Sequence, residues 1–279
     1  MRRIKFRWLM LLGLFAVLGL IVTGCGQKKS ADKGPLTVAT SGTLYPTSFH
    51  DQKTNKLTGF DVEVVRAVAK KLGRKVVFKE MNVDGQETAV KTGKADMAAN
   101  DFAVSPQRAK EFAVSTPYKH SFNSIVVRKK GDSGIHSWAD IKGKKAAGEA
   151  GTGYQRLAKQ LGAKTFNYNN VSNDIYLKDV ESGKTDLIMN DYYLQKLALA
   201  AVPNNTLKIL PNMYFRTNED GKGVGILMKK GDTKLQKQVD NALKTLKKNG
   251  TLKKLSEKYY HADVTKQPHV HISKTFTIK

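Results

Sequence analysis

The chain has 279 residues, enough for one large domain or two smaller lobes with cores of their own. It is 40% apolar and 26% charged, as in an ordinary soluble globular protein, and its single cysteine excludes an internal disulfide framework and any CxxC metal or redox motif. The excess of 48 Lys+Arg over 24 Asp+Glu, +24 overall, raises nucleic acid or an anionic surface as a partner.

The lysines, however, come as dyads between apolar residues (Lys70-Lys71, Lys129-Lys130, Lys229-Lys230, Lys253-Lys254). No arginine-rich, glycine-aromatic or zinc-finger pattern accompanies them, so they read as solvated helix faces and no nucleic-acid partner is expected. Six histidines are scattered without an HExxH arrangement, and no metal or other cofactor is expected.

The chain opens on a positive segment, MRRIKFR, followed by the apolar run Trp8–Val22. That order is the pattern of a secretory signal. A transmembrane anchor is the alternative, but Gly13 and Gly19 interrupt the run, Gly24 follows it, and no second hydrophobic segment comes after. Cys25 taken alone is a buried core residue, a reactive thiol, a metal ligand or a group outside the fold. Val22-Thr23-Gly24-Cys25 resembles the bacterial lipobox, in which the cysteine is acylated and becomes the new N-terminus. The expectation is a signal peptide over 1–24 and a lipidated polar tether over 25–34, with more than one acyl chain, palmitate among them, for stable anchoring.

From Pro35 strand-like and helix-like pieces alternate. LTVAT (Leu36–Thr40) is a β-run, and FDVEVVRAVAKKLG places Val62, Val65, Val68, Ala69 and Leu72 at helical spacing before the stop at Gly73. A strand over Val76–Met81, a helix over Gly85–Gly93 and a strand over Ala95–Asn100 follow. This β-α-β-α-β succession predicts α/β architecture with a parallel or mixed sheet. A like succession returns over 137–191, where ESGKTDLIMND echoes KTGKADMAAND; the echo is either common turn chemistry or the mark of two lobes of similar construction. Two amphipathic helices broken at Asn249-Gly250 close the pattern, and 263–279 is expected to be a polar, loosely held tail.

Five ordered segments, LTGFDVEVVRAVAKKLG, SPQRAKEFAVSTPY, DIKGKKAAGEAGTGYQ, GKTDLIMNDYY and LKKNGTLKKLSEKYY, resemble the extracytoplasmic solute-binding proteins of polar amino-acid ABC importers over residues 35–262. The run VESGKTDLIMNDYYLQKLALA is most similar to the cystine-binding members. The resemblance implies a two-lobed periplasmic-binding-protein-like fold of type II, each lobe a mixed sheet flanked by helices. It divides the chain into lobe one, 35–119 plus 212–262, and lobe two, 120–211, with hinges near Lys119–Phe122 and Leu210–Tyr214. It further implies a non-enzymatic monomer that captures an amino acid and delivers it to an ABC permease and ATPase complex. The protein would sit on the outer face of the cell membrane, of Gram-positive type.

The same resemblance assigns the site. Arg108 matches the arginine that clamps the ligand carboxylate; on spacing alone it is a surface arginine at a helix start. Asp191 matches the acceptor of the ligand ammonium and otherwise reads as a turn aspartate. Ser105 caps the helix of Arg108, and Thr152 and Gly153 hold the carboxylate at a helix N-terminus. Asn100, Asp101 and Ala103 line the pocket floor, Tyr154 faces the cleft, and Tyr45 supplies one of two usual aromatic rings; Val83 stands where the other is expected. Asp101 adds an acid where uncharged residues are common, which favours a second ammonium, as in cystine, or a basic side chain. Its alternative is a strand-end turn aspartate. Two further functions compete: a dehydratase on the same fold, using Asp101 or Glu149 for proton transfer, and a receptor input domain.

Overall fold

A computed structural model describes residues 34–169, 171–202, 204 and 206–279; the signal, Cys25 and nearly all of the tether lie outside the described residues. In chain order the first elements are β1 (Leu36–Thr40), a small antiparallel meander of β2 (Thr43–Leu44), β3 (Ser48–His50) and β4 (Leu57–Thr58), and α1 (Phe60–Lys71). Helix α1 buries Val64, Val65 and Val68 on one stripe, with Asp61 and Glu63 in its first turn and Lys70 and Lys71 in its last, a charge order that complements the helix dipole. Strand β5 (Val76–Glu80) follows, then α2 (Val83–Lys91). This second helix starts two residues earlier than its apolar spacing suggests, because the Asn82 side chain caps it by accepting from Gly85 N at 2.9 Å. Next come β6 (Met97–Ala98), α3 (Pro106–Glu111) and β7 (Phe112–Val114).

The second run comprises β8 (Asn123–Arg128), β9 (Lys145–Glu149), α4 (Gly153–Gln160), β10 (Lys164–Tyr168), α5 (Asn173–Glu181), β11 (Leu187–Asp191), α6 (Tyr192–Ala201), β12 (Leu207–Ile209) and β13 (Phe215–Thr217). The chain then returns through β14 (Leu227–Lys229), α7 (Thr233–Lys248), α8 (Thr251–Tyr260) and β15 (Lys274–Phe276).

Two mixed sheets result. The first has the order β5-β1-β6-β14-β7, and the second β10-β9-β11-β8-β13-β15 with β12 also on β8. Apolar clusters cover both faces of each: Val38, Val64, Met97 and Val239 on one face of the first and Ala39, Val90 and Leu227 on the other. Ile125, Leu157 and Phe215 fill one face of the second, and Val126, Leu177 and Ile188 the other. Helix α6 follows a strand of the second sheet, yet Leu194 and Leu197 pack in the core of the first.

The repeated sequence fragment marks the same joint in both sheets. After α2, Asp96 accepts from Thr37 N at 2.8 Å; after α5, Asp186 accepts from Lys145 N at 2.9 Å. Each aspartate ties the start of its strand to the neighbouring first strand, and an Asn-Asp pair follows in each, Asn100-Asp101 just beyond β6 and Asn190-Asp191 as the last two residues of β11. Both sheets thus present an aspartate at equivalent strand ends.

Two expectations need correction. The return crossing falls later than Leu210–Tyr214, because Phe215–Thr217 still pairs with the second sheet, at Asn123 on one side and β15 on the other. The chain re-enters the first sheet only at Leu227. Nor is the stretch from 263 loosely held. Three residues of it form β15, parallel to β13, and Phe276 and Ile278 are buried in the second core, which the polar composition around them concealed.

The return crossing is tight at Gly221, where φ is +58° and an added Cβ would lie 1.8 Å from Val104 O. Both the backbone conformation and the space demand glycine. Gly221→Ala is expected to cost about 3 kcal/mol of stability, read as a lower urea midpoint with an unchanged slope.

Candidate functional site

The strands of both sheets end at a shared cleft, a cavity of about 120 Å³ open to solvent at its mouth. The C-terminal ends of strands are where open α/β sheets place ligands, since loops there diverge and helix N-termini converge. Arg108, Asn100, Asp101, Ala103, Thr152, Gly153 and Tyr154 all line it.

Arg108 reaches the cleft from a short helix that its own sequence builds. Pro106 occupies the first helical turn, and Ser105 accepts from Arg108 N at 3.2 Å, the cap expected of it; Ser105 itself is buried outside the cleft lining. The guanidinium lies over the Phe102 ring, 5.0 Å from its centroid, and Nη2 donates to Glu87 Oε1 at 3.2 Å. Nε is buried without a hydrogen-bond partner. A buried N–H left unpaired costs about 1–3 kcal/mol, so this edge of the fork is a free donor, suited to an acceptor oxygen.

The N-terminus of helix α4 lines the same cleft as Arg108. Thr152 caps it, accepting from Gln155 N at 3.4 Å and donating to Glu149 O at 2.9 Å. Gly153 begins the helix, and a Cβ there would stand 2.5 Å from Glu219 Oε2. Only a residue without a side chain lets that carboxylate approach. Asn100 is held by Ser41, whose hydroxyl and N–H reach its Oδ1 at 2.9 and 3.3 Å. Tyr154 donates to Asn123 Oδ1 at 3.0 Å, so its hydroxyl is fixed from below.

The two equivalent aspartates meet on one cation. Lys119, buried in the first crossing, donates to Asp101 Oδ1 at 2.7 Å and to Asp191 Oδ2 at 2.8 Å. Asp101 sits at φ +61°, a left-handed conformation that aspartate tolerates, and its N–H is taken by the buried Asp61 at 2.7 Å. Burial pushes the Asp101 carboxyl up to about 7 against the pull of Lys119, with the Asp191 and Asp61 charges adding to the rise. Burial alone would lower Lys119, but the two carboxylates hold its pKa well above the ordinary value, so it stays charged.

Two residues are placed otherwise than expected. Asp191 does not line the main cleft but a smaller adjoining pocket, shared with Asp101, Ala103 and Tyr154. Its Oδ1 accepts from Leu194 N at 3.0 Å and its Oδ2 binds Lys119, so both oxygens have partners. The Tyr45 ring does not line the cleft either. It packs edge-on against Phe49 at 4.9 Å, and Leu44 takes the cleft position one residue earlier.

Sequence reasoning passed over Lys119 as a charge, seeing it only as hinge, and missed Glu219, Asp220 and Ile278. Glu219-Asp220 lies in TNEDGKG, which reads as a surface turn. Asp220 is in fact gripped by Thr217 Oγ1 at 2.6 Å and by Asn123 Nδ2 at 2.7 Å, and burial raises its pKa. Among the described residues the cleft lining carries four carboxylates, Asp101, Glu149, Glu219 and Asp220, and one cation, Arg108; just behind the lining, Lys119 pairs with Asp101 and Arg156 Nη2 with Glu219 Oε2 at 2.5 Å.

The sequence profile of the bacterial extracellular solute-binding proteins, family 3, matches residues 36–262. The chain is 49% identical over 262 residues to the "Probable ABC transporter extracellular-binding protein YckB" of Bacillus subtilis (strain 168), covering 89% of this chain and 90% of that one. The crystal structure of that protein superposes with a TM-score of 0.71 over 89% of this chain and 97% of the other. The L-cystine-binding protein TcyA of the same organism is 36% identical over 84% of each chain. An ancestral arginine-binding protein, solved bound to arginine, is 32% identical with a TM-score of 0.73 over 82% of this chain and 99% of that one.

Proposed function

Because the chain belongs to the bacterial extracellular solute-binding proteins of family 3, we propose that it captures an extracytoplasmic amino acid carrying a second cationic group and delivers it to an ABC permease and ATPase complex. The observation that carries this reading is the charge of the cleft lining, four carboxylates against one arginine. The α-carboxylate takes the vacant Nε edge of Arg108 and the N-terminus of α4 at Thr152 and Gly153. The α-ammonium is met at the Asp101 side, where Asp191 and Lys119 stand behind and set the local field. A guanidinium, an ε-ammonium or the second ammonium of cystine is met by Glu149, Glu219 and Asp220. The names of the relatives, one cystine-binding and one arginine-binding, fit this class.

Capture is by cleft closure rather than by reaction. Of the two acids that a dehydratase would use, Asp101 is tied to Lys119, and one oxygen of Glu149, Oε2, already accepts from Tyr176 Oη at 2.9 Å. The relatives quoted above are named as an ABC transporter extracellular-binding protein, an L-cystine-binding protein and an arginine-binding protein. Ahead of it, Val22-Thr23-Gly24-Cys25 supports export, cleavage after Gly24 and lipidation of Cys25, leaving a monomer tethered to the outer face of the membrane.

A melting screen of the protein against arginine, lysine, cystine, glutamine and glutamate tests the reading. Upward shifts are expected for the first three and not for glutamate; stabilisation by glutamate alone would overturn it. Within the same screen, Glu149→Gln is expected to weaken arginine binding about tenfold while leaving glutamine binding nearly unchanged.

A further inference from the structure

We propose that residues 263–279 form a strap joining the two lobes and closing one wall of the cleft, with Ile278 as a ligand-contacting, specificity-determining residue. The proposal rests on the cleft being the amino-acid site. The family profile ends at 262, so that match assigns the strap no part in binding.

At its near end the strap is fixed to the first lobe. Val264 is fully buried in the first core, its N–H donates to Ser256 Oγ at 2.7 Å, and its carbonyl accepts from His120 N at 2.7 Å. At its far end it joins the second sheet. Phe276 packs edge-on to Trp138 at 4.8 Å, and the Asn218 side chain accepts from Ile278 N at 2.8 Å while Asn218 N donates to Phe276 O at 3.0 Å. Gln160 Nε2 holds the intervening Thr277 carbonyl at 2.8 Å.

These bonds fix the backbone on both sides of Ile278 and send its side chain into the cleft wall. It is 7% exposed, and its Cδ1 lies 3.3 Å from where a Cβ on Gly153 would be. An aliphatic group therefore stands at the N-terminus of α4, beside Glu219, whose Oε2 would lie 2.5 Å from the same Cβ position. The matching ligand is a long unbranched cation whose methylenes lie on Ile278 while its charge passes on to the acids. Because the strap is anchored in both lobes, ligand closure and strap docking favour each other.

The test uses the full chain, Ile278→Ala and the strap-releasing Phe276→Asp, with two readouts. Calorimetry should show arginine bound about tenfold more weakly by Ile278→Ala, the loss expected when methylene contacts leave a pocket, with alanine binding unchanged. Equal arginine affinities in Ile278→Ala and the wild type would overturn the ligand contact. Without any ligand, spin labels at Lys70 and Lys159, with Cys25 replaced by serine, report the distance between lobes. Phe276→Asp should broaden that distribution, and coincident distributions would overturn the strap. If the wild type binds no amino acid, the functional reading and the ligand contact both fall, and the distance measurement alone still decides the strap.

Discussion

Arg108→Ala is expected to weaken amino-acid binding by about thirtyfold to several thousandfold, the range for truncating one partner of a buried, hydrogen-bonded charge pair (about 2–5 kcal/mol). The free protein should melt at nearly the wild-type temperature, because the Nε edge has no acceptor to lose and the Glu87 contact is a single long bond. That separation of affinity from stability is the diagnostic outcome. Arg108→Lys keeps the charge and loses the planar fork, so its loss should be intermediate. Calorimetric titration beside a melting curve measures both; an Arg108→Ala protein that binds normally would remove Arg108 from the site.

Lys119→Met acts in the opposite way, on the protein before any ligand. It leaves Asp61, Asp101 and Asp191 buried near one another with no cation among them, and breaking a buried ion pair from one side costs about 3–5 kcal/mol. Asp101, already raised to about 7, rises further in the variant. A carboxyl whose folded pKa lies above its unfolded value stabilises the fold below the unfolded value, near 4, and that stability is lost as pH rises through the folded one. The melting gap between wild type and Lys119→Met should therefore be small at pH 5 and wide at pH 8. A gap independent of pH would mean that the lysine acts through packing alone. The wild type should itself lose some stability between about pH 4 and pH 7 through Asp101.

The strands and helices were legible in the sequence because their signals are local: valine spacing in α1, the Ser105 cap, the glycine stops. The Arg108 segment was legible for the same reason, since cap, proline and arginine lie within four residues. Lys119 was not, because what makes it an electrostatic centre is its partners, 18 and 72 residues away in the chain. Asp191 looked free for the same reason, its occupants being invisible from NDYY. Tyr45 failed because it falls in the turn just past β2, where its ring packs on Phe49 instead of following Thr43 and Leu44 into the cleft. The last segment failed on composition, since one Phe and one Ile among polar neighbours suffice to dock a strand when a sheet edge and an asparagine side chain are waiting for it.

The matched joints at Asp96 and Asp186 bear on which way round a guest lies. Each lobe builds its strand end by the same rule and offers an aspartate at the like position, so the frame itself treats head and tail of a zwitterion alike. The equivalence breaks seven residues on: Arg108 follows Asp101 at that interval, and buried Ala198 follows Asp191. On the proposed reading, polarity of the bound molecule is thus set by Arg108 together with the N-terminus of α4, and a guest in this container would have a single address for its carboxylate.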